Sequence, residues 1–323
     1  MSGSDPVLSP SPLYWPVQRQ RNRGVRALFC VVAAFVAIYA YLFPGLLSIG
    51  GLSKFCQSWF PLALVSMAQA ILMLTGGINL AIGATVSLGA VIAATTMSGP
   101  LGAPGAIAAV AFAGLGIGAI CGLIVVRLRL PAIIVTLAGS FIIGGMALLV
   151  LPRPGGEIPA WFSDFLAGGT PVAALLLALI VLAWKLYLAT PLGLSLYAAG
   201  ENPVAAYRSG VPVDAARIAA YAISGLLSTG AGLYVAAQTG SGDPVIGQAF
   251  TLNSIAAAVL GGVGFLGGHG TMRGAIAGSL LLSVMVNVMF FLGFPPVAQY
   301  VAQGLIIIGA VALPQIGARG RRA

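Results

Sequence analysis

The feature that most constrains the fold is a run of 72 residues, 55–126, without a single charged side chain. A helix needs about 20 mostly apolar residues to cross a bilayer, so this run alone is long enough for three crossings. Charged residues make up 7% of the chain and apolar residues 59%. A soluble domain with so few charges could not cover its own surface. The sequence therefore predicts an all-α integral membrane protein.

Dividing each uncharged interval by the length of one span predicts ten transmembrane helices. The intervals that each hold one helix are 27–53, 130–152, 165–184, 218–242 and 244–268. Interval 55–126 holds three helices, with breaks at 76–79 and 98–100, and interval 274–318 holds two, with a break at 293–296. A re-entrant segment could replace one of the three helices in 55–126.

Ten crossings place both termini on one side, and the basic residues identify that side. The basic residues on the same face as the arginine-rich N-terminal tail are Arg127, Arg129, Arg208, Arg217, Arg273, Arg319, Arg321 and Arg322, with Lys185 nearest to it. Only Lys54 and Arg153 fall on the other face, so the populated face is predicted to be cytoplasmic. The net charge of +9 thus reflects orientation in a membrane, and we expect no nucleic-acid partner.

We expect three regions along the chain. Residues 1–26 are rich in Ser, Pro and Arg and are predicted to form a disordered cytoplasmic tail. Residues 27–318 form a single transmembrane domain, and residues 319–323 form a basic cytoplasmic C-terminus. Within the transmembrane domain, 190–217 is the longest polar interruption between two apolar blocks.

This polar interruption contains the signals of a short helix outside the bilayer. Asn202 can serve as its N-cap, Pro203 fits its first position, and Gly210 can end it in a left-handed conformation. Glu201 at the start and Arg208 near the end follow the order that a helix dipole favours. Spacing alone leaves two interpretations open: a connector between spans, or a docking helix for another protein.

No charge occurs in the predicted middle of any span. Proton pumps and many ion-coupled carriers place Asp, Glu or His there, so the pattern argues for a neutral substrate and against self-powered transport. Uncharged hydrogen-bonding side chains at mid-span are the candidates for a substrate path. They are Thr75, Asn79, Thr136, Asn253, Ser254 and Asn287. Bonding between helices explains Asn287 equally well.

Two further residue types have simpler interpretations. The chain has 45 glycines, and spacings such as Gly114, Gly118 and Gly122 predict close helix packing in lipid. His269, the only histidine, lies in a glycine-rich turn without the Cys or carboxylate neighbours that a metal needs. We therefore predict no metal site and no cofactor on this chain.

Four stretches together resemble the membrane subunits of bacterial ABC importers for ribose-, xylose- and arabinose-type sugars. Residues 76–83, GGINLAIG, are similar to that family's GGIDLSVG signature, and 130–137, LPAIIVTL, to its P-x-F-I-x-T-L segment. Residues 255–262 and 267–271, IAAAVLGG and GGHGT, resemble its IAAVVIGG…GGxGT element, and 200–210 its GxNxxAAxxSG loop. The resemblance covers about 62–313, with Asn79 in place of the usual Asp, Ala81 in place of Ser and Gly264 in place of Ser.

The resemblance implies a type II importer fold in a bacterial inner membrane. Two permease subunits, identical or different, would pair, a periplasmic binding protein would deliver the sugar, and a cytoplasmic ATPase dimer would hold ATP and Mg²⁺. The implied ATPase-coupling residues are Gly200, Glu201, Asn202, Pro203, Ala205, Ala206, Arg208, Ser209 and Gly210. The chain itself agrees, because neither Lys54 nor Lys185 fits a G-x-x-x-x-G-K-[ST] phosphate loop.

The outer loop 152–170, which contains Arg153, Glu157 and Asp164, is the candidate contact for the binding protein. A plain surface linker is the alternative there. For the whole chain, the alternatives are a self-sufficient carrier or facilitator for a neutral solute, or an ABC permease for nucleosides or branched-chain amino acids. A membrane-embedded enzyme is disfavoured, because no His, Asp and Glu cluster lies at the depth of the spans.

Overall fold

The computed structural model describes residues 30, 32–41, 43–100, 102–168, 172–295, 297–298 and 301–305. Its helices are α1 Val32–Tyr41, α2 Ile49–Leu74, α3 Ile82–Thr96, α4 Gly102–Arg127, α5 Ala132–Val150, α6 Ala160–Ala167, α7 Val172–Leu188, α8 Pro191–Glu201, α9 Pro203–Arg208, α10 Val213–Thr239, α11 Gln248–Leu260 and α12 Met272–Phe291. In this part of the chain, the β-structure is one isolated bridge between Gly155 and Gly242. The all-α prediction is confirmed. The predicted tail 1–26, the C-terminal residues 319–323 and residues 306–318 lie outside the described residues.

Helix α2 is the centre of the fold. Every residue from Phe60 to Thr75 is buried, because α7, α8, α10, α11 and α12 surround this part of the helix. A helix that is apolar on all sides can be stable only when it is covered on all sides. The absence of charge along 55–126 therefore reflects a helix enclosed by protein as well as by lipid.

The outer faces of α4 and α5 have the opposite character. Phe112 is 76% exposed, Phe141 75% and Leu149 84%, and both helices are long and apolar enough to cross a membrane. An apolar surface of this extent marks contact with lipid or with another membrane protein. The chain is a multi-pass membrane protein.

Backbone contacts through glycine join α4 to α10. A Cβ atom added to Gly114 would lie 2.7 Å from the carbonyl oxygen of Gly225, and one added to Gly118 would lie 2.8 Å from the Cα of Ala222. A Cβ added to Gly122 would lie 3.1 Å from the Cα of Ile218. Only glycine permits this approach, so the predicted packing role of these three glycines is confirmed.

A proline in α2 determines a second contact with α10. Pro61 has no N–H, so the carbonyl of Gln57 one turn earlier receives no helical hydrogen bond at that position. Gln238 of α10 donates its Nε2 to that carbonyl at 3.0 Å. A backbone group left free by the proline is thereby satisfied by a neighbouring helix, as membrane interiors require.

Helices α3 and α11 are both too short to cross a bilayer. Their 15 and 13 residues give lengths of about 22 and 20 Å, against a hydrocarbon core of about 30 Å. Their N-terminal ends meet, since a Cβ on Gly83 would lie 2.5 Å from the carbonyl oxygen of Gly247, and the Gly247 N–H donates to Ser87 Oγ at 2.9 Å. Non-helical segments 75–81 and 240–247 lead into the two helices.

The predicted helix breaks at 76–79 and 98–100 are confirmed, but three predicted spans have wrong bounds. Interval 27–53 is not one helix, because Pro44 starts a 3-10 turn and α2 begins at Ile49. Interval 165–184 spans the end of α6 and most of α7. Interval 244–268 contains a helix only from Gln248 to Leu260.

Among the described residues, five helices are long and apolar enough to cross a membrane, or six if α6 and α7 form one span. The five are in the segments Gly50–Leu74, Gly102–Arg127, Ala132–Val150, Val213–Thr239 and Met272–Phe291.

Candidate functional site

Helix α9 has the capping residues that the sequence predicts. Asn202 is its N-cap, and the side-chain Oδ1 of Asn202 accepts a hydrogen bond from the Ala205 N–H at 3.0 Å. Pro203 is the first helical residue. Gly210 has φ +76°, a left-handed conformation that glycine adopts without steric cost. The capping positions predicted for Asn202, Pro203 and Gly210 are confirmed.

Two details of the polar loop differ from the prediction. A helix, α8, precedes α9, so 190–217 contains two short helices in place of one. Glu201 is the last residue of α8, outside α9, and the prediction that α9 begins with it is wrong. Asn202 ends α8 in an extended conformation, which separates the carboxylate of Glu201 from the first turn of α9.

Helix α9 has one buried face and one exposed face. Ala206 is 8% exposed and packs with Ala199 and Val213, so it packs α9 against α8 and the start of α10. On the outward face, Val204 is 61% exposed and Tyr207 is 73% exposed. Ala205, Arg208 and Ser209 are exposed as well. Val204 and Tyr207 thus form an exposed apolar patch, of the kind that marks contact with another protein or with a membrane.

Backbone contacts connect the loop to α2. The Gly268 N–H donates to the carbonyl of Leu74 at 2.9 Å. A Cβ on Gly200 would lie 2.6 Å from the Gly268 nitrogen, and a Cβ on Gly267 would lie 2.7 Å from the Gly200 carbonyl oxygen and 2.9 Å from the Gly76 nitrogen. We call these five residues the inner junction. The end of α8 and the end of α2 are therefore in direct backbone contact.

Thr136 ties a further segment to the turn that follows the inner junction. Its Oγ1 accepts a hydrogen bond from the Leu80 N–H at 3.1 Å and donates to the Ala132 carbonyl at 2.9 Å. Asn79 accepts from the Ala81 N–H at 2.8 Å through Oδ1 and reaches Ser224 Oγ at 3.5 Å through Nδ2.

All four stretches that carry the family resemblance therefore meet in one region. Segments 76–83, 200–210 and 267–271 touch at the inner junction, and segment 130–137 bonds to the first of them through Thr136. Asn79, which stands where the resembled family usually has a carboxylate, bonds to Ala81 and reaches Ser224 in the turn before α3.

The candidate path residues do not form one cluster. Thr75, Asn79 and Thr136 lie close to the inner junction, and Thr75 donates to the Leu72 carbonyl at 2.8 Å. Ser254 is fully buried in α11 and donates to the Thr251 carbonyl, and Asn253 beside it is half-buried.

Asn287 lies in the last turns of α12, near the end opposite the inner junction. It is half-buried, and its Nδ2 donates to the Ser283 carbonyl of its own helix at 2.8 Å. Four residues later, Phe291 stacks on Phe43 with the ring centroids 4.5 Å apart. This placement separates Asn287 from the candidates near the inner junction.

Gln69 is a buried polar residue that the sequence reasoning missed. It lies five residues before the end of α2 with 0% exposure, and neither Oε1 nor Nε2 has a hydrogen-bond partner in the described part of the chain. Ser66 is the other polar residue between Phe60 and Leu74. An uncharged amide in such a run is the signal that would have identified it.

His269 has a structural environment. Its Nδ1 lies 3.1 Å from the Gly267 carbonyl oxygen, within the turn that forms the inner junction. Within the described residues, no three His, Cys, Asp or Glu side chains lie close enough to hold a metal ion.

Segment 152–168, the described part of the predicted outer loop and called the outer segment below, is held to the helix ends by backbone hydrogen bonds. The Glu157 N–H donates to the Ala94 carbonyl and the Ile158 N–H to the Gly240 carbonyl, both at 3.1 Å. Arg153, Glu157 and Asp164 are exposed, and Trp161 beside them is 62% exposed. The described part of the predicted outer loop is thus a fixed surface that presents charges and aromatic rings.

Comparison with known proteins identifies relatives along most of the chain. Residues 51–311 match the family described as "Branched-chain amino acid transport system / permease component". The chain is 30% identical to the ribose import permease protein RbsC of Escherichia coli (strain K12), over 85% of this chain and 89% of that protein. It is 33% identical to the autoinducer 2 import system permease protein LsrC of Klebsiella pneumoniae subsp. pneumoniae, over 91% and 86%. It is 32% identical to the galactose/methyl galactoside import permease protein MglC of Escherichia coli (strain K12), over 90% and 93%. No solved structure matches the chain.

Proposed function

The chain belongs to the family of branched-chain amino acid transport system / permease components, and from that premise we propose that it is the transmembrane subunit of an ATP-driven importer for a monosaccharide or related polyol. The observation that carries this proposal is the similarity, over at least 85% of the chain, to permeases named for ribose and galactose import. The permease for autoinducer 2 is similar at the same level, so the cargo class extends to other small polar molecules.

We propose ten spans in the inner membrane of a bacterium, with both termini in the cytoplasm; the short helices α3 and α11 would each complete a span together with the non-helical segments 75–81 and 240–247 that precede them. Two groups of contacts, at opposite ends of the helices, support the two membrane faces of this topology. The inner junction gathers the ends of α2, α8 and the segment between α11 and α12, whereas Ala94, Glu157 and Gly240 gather at the other end. The arginines at 127, 129, 208 and 217 lie beside Thr75 and Gly76 at the inner-junction end, and Arg153 lies two residues before Gly155, which bonds to Gly242 at the other end. This distribution supports a cytoplasmic location of the first end by the positive-inside rule.

A separate ATPase dimer would hydrolyse ATP with Mg²⁺ and grip the exposed face of α9. Val204, Ala205 and Tyr207 are the residues that its groove would cover. Force applied there would pass through Gly200 to Leu74, because these two residues touch through their backbones. The coupling residues named from the sequence thus divide into an outward set that contacts the ATPase and an inward set, with Gly200 and Ala206, that transmits its motion.

The membrane interior suits a neutral cargo. In the described helices, every charged residue lies within six residues of a helix end, with Lys54 of α2 and Arg217 of α10 the furthest from an end. A passage through such an interior would use amides and hydroxyls, which hold a sugar briefly and release it. We add Gln69 to the path candidates, because its buried amide has all its hydrogen-bonding capacity free.

The remaining partners follow from the same proposal. A second permease subunit, identical or not, would cover the exposed apolar surface that lipid leaves free, and a periplasmic binding protein would dock on the outer segment around Trp161. No cofactor is expected on this chain.

Replacing Ala205 with Arg tests the docking role of α9. The side chain is exposed, so folding and membrane insertion should be unchanged, while an unpaired charge buried under the ATPase should weaken its attachment by at least about tenfold. Ala189→Arg is the matched control, since Ala189 is exposed between α7 and α8. ATP-driven uptake and copurification of the ATPase are the measurements. Full activity of Ala205→Arg would remove α9 from the coupling path.

A further inference from the structure

A cavity of about 720 Å³ opens where the ends of α2 and α4 meet α9 and the start of α10. This volume lies within the range of small-molecule sites, about 300–1,000 Å³. The charged residues in its wall are Arg127, Arg129, Arg208, Arg217 and Asp214, and Val204 and Tyr207 of α9 also line it, so the ATPase proposed to dock on α9 would cover this side of the cavity. Four arginines against one aspartate leave a formal excess of three positive charges, so the cavity favours an anion.

Two buried donors in the wall have no partner. Tyr221 is 2% exposed, and its hydroxyl forms no hydrogen bond within the described chain. The Nε of Arg217 is buried and equally unpaired, and Nη2 of the same guanidinium reaches the Ala199 carbonyl only at 3.5 Å. Buried polar groups in proteins are almost always hydrogen-bonded, so these two donors indicate an occupant that accepts hydrogen bonds.

Membrane orientation alone does not explain these features. The positive-inside rule accounts for arginines on this face, but an exposed arginine elsewhere on the face would satisfy it equally well. It requires neither a cavity nor a buried tyrosine hydroxyl without a partner. Arg129 also has φ 53°, the one left-handed residue other than glycine in the described chain, and such a conformation persists where the surrounding structure imposes it.

We propose that this cavity binds a phosphate monoester. A guanidinium presents its N–H groups in a planar fork that matches two phosphate oxygens, and several guanidiniums around one cavity suit a group with two negative charges. The Tyr221 hydroxyl and the Arg217 Nε would donate to the remaining oxygens. Two sources share this chemistry: a soluble metabolite, and the headgroup of phosphatidic acid at the membrane surface.

Glycerol 3-phosphate and phosphatidic acid carry the same phosphate group and separate the two sources. The purified full-length chain is placed in nanodiscs of phosphatidylcholine and titrated with glycerol 3-phosphate by calorimetry. In a second arm, phosphatidic acid replaces part of the phosphatidylcholine, and the lipid retained by the protein is measured by native mass spectrometry. Saturable binding in the first arm assigns a soluble ligand, and selective retention in the second assigns the lipid.

Variants test whether the bound phosphate occupies this cavity. Arg129→Gln and Tyr221→Phe each remove a donor to a charged group, and each should weaken binding by at least about tenfold. Arg273→Gln removes the same charge from an exposed residue outside the cavity and should change the affinity by less than about twofold. Tyr221→Phe keeps the ring that packs against α4, so its fold is preserved.

Two results would overturn the proposal. One is the absence of saturable binding in both arms. The other is equal weakening by Arg273→Gln and Arg129→Gln, which would indicate general attraction to a basic face. The proposed topology makes the cavity face the cytoplasm. Binding in nanodiscs depends neither on that topology nor on the transported cargo, so the proposed transport function and the proposed phosphate site can fail separately.

Discussion

Replacing Gly225 with alanine tests the close backbone contact between α10 and α4. The added Cβ would lie 3.0 Å from the carbonyl carbon of Gly114 and 3.1 Å from the nitrogen of Gly118, with the Gly114 carbonyl oxygen closer still. All three atoms are backbone atoms, so no side chain can rotate away, and α10 must move from α4. Overpacking of this kind costs about 1–3 kcal/mol.

Gly230 provides the matched control, because it lies in the same helix and a Cβ there would meet nothing within 4 Å. Both alanines gain about 0.5–1 kcal/mol from lower backbone freedom in the unfolded chain. This gain cancels in the comparison, so Gly225→Ala should be less stable than Gly230→Ala by about 1–3 kcal/mol. A difference of 2 kcal/mol is about a 30-fold change in the ratio of folded to unfolded protein.

The assay is unfolding in mixed micelles by titration with SDS, followed by circular dichroism. The free energies of unfolding of Gly225→Ala, Gly230→Ala and the unchanged protein are compared in the same detergent. Equal free energies for the two variants would refute the claim that backbone contact through Gly225 determines the distance between α4 and α10.

Two further substitutions test polar groups in α2. Gln238→Leu leaves the carbonyl one turn before Pro61 without a donor and should lower the free energy of unfolding by about 1–3 kcal/mol. Adding Pro61→Ala restores a helical N–H to that carbonyl, so the double variant should lose much less. Additive costs in this double-mutant cycle would contradict the contact. Gln69→Leu removes two unpaired buried polar atoms and should raise the free energy of unfolding by about 1–3 kcal/mol. If Gln69 lines the path, uptake should fall while stability rises, and unchanged uptake would remove it from the path.

Features set by neighbouring residues were predictable. Asn202, Pro203 and Gly210 lie within nine positions of one another, and capping depends only on such local spacing. The break at 76–79 was equally visible, because two glycines and an asparagine interrupt an apolar run.

Features set by tertiary contacts were not. The length of α11 depends on a non-helical approach, 240–247, that packs against α3, and its apolar sequence resembles that of a full span. The pairing of Gln238 with the carbonyl freed by Pro61 joins residues 181 positions apart. Glu201 belongs to α8 because residues 191–201 form a helix of their own. The alternating small and apolar residues of that helix fit a non-helical connector equally well, so the sequence did not reveal it.

The candidate site shows the same division. The four segments were recognisable one by one, but their meeting at the inner junction depends on carbonyl oxygens and glycine nitrogens, which carry no side-chain signal. The cavity was hidden for a similar reason, since its arginines come from three separate segments and each one alone fits the positive-inside rule.

The most direct test of the account is the location and partner of Ala205. In a variant with Ala205→Cys and the native cysteines replaced by serine, we predict no labelling by a membrane-impermeant maleimide from the periplasmic side. We also predict a cross-link to the copurifying ATPase, and none from Ala189→Cys. Periplasmic labelling of residue 205, or uptake against a gradient by the purified chain without an ATPase, would contradict the claim that a separate motor drives this permease through α9.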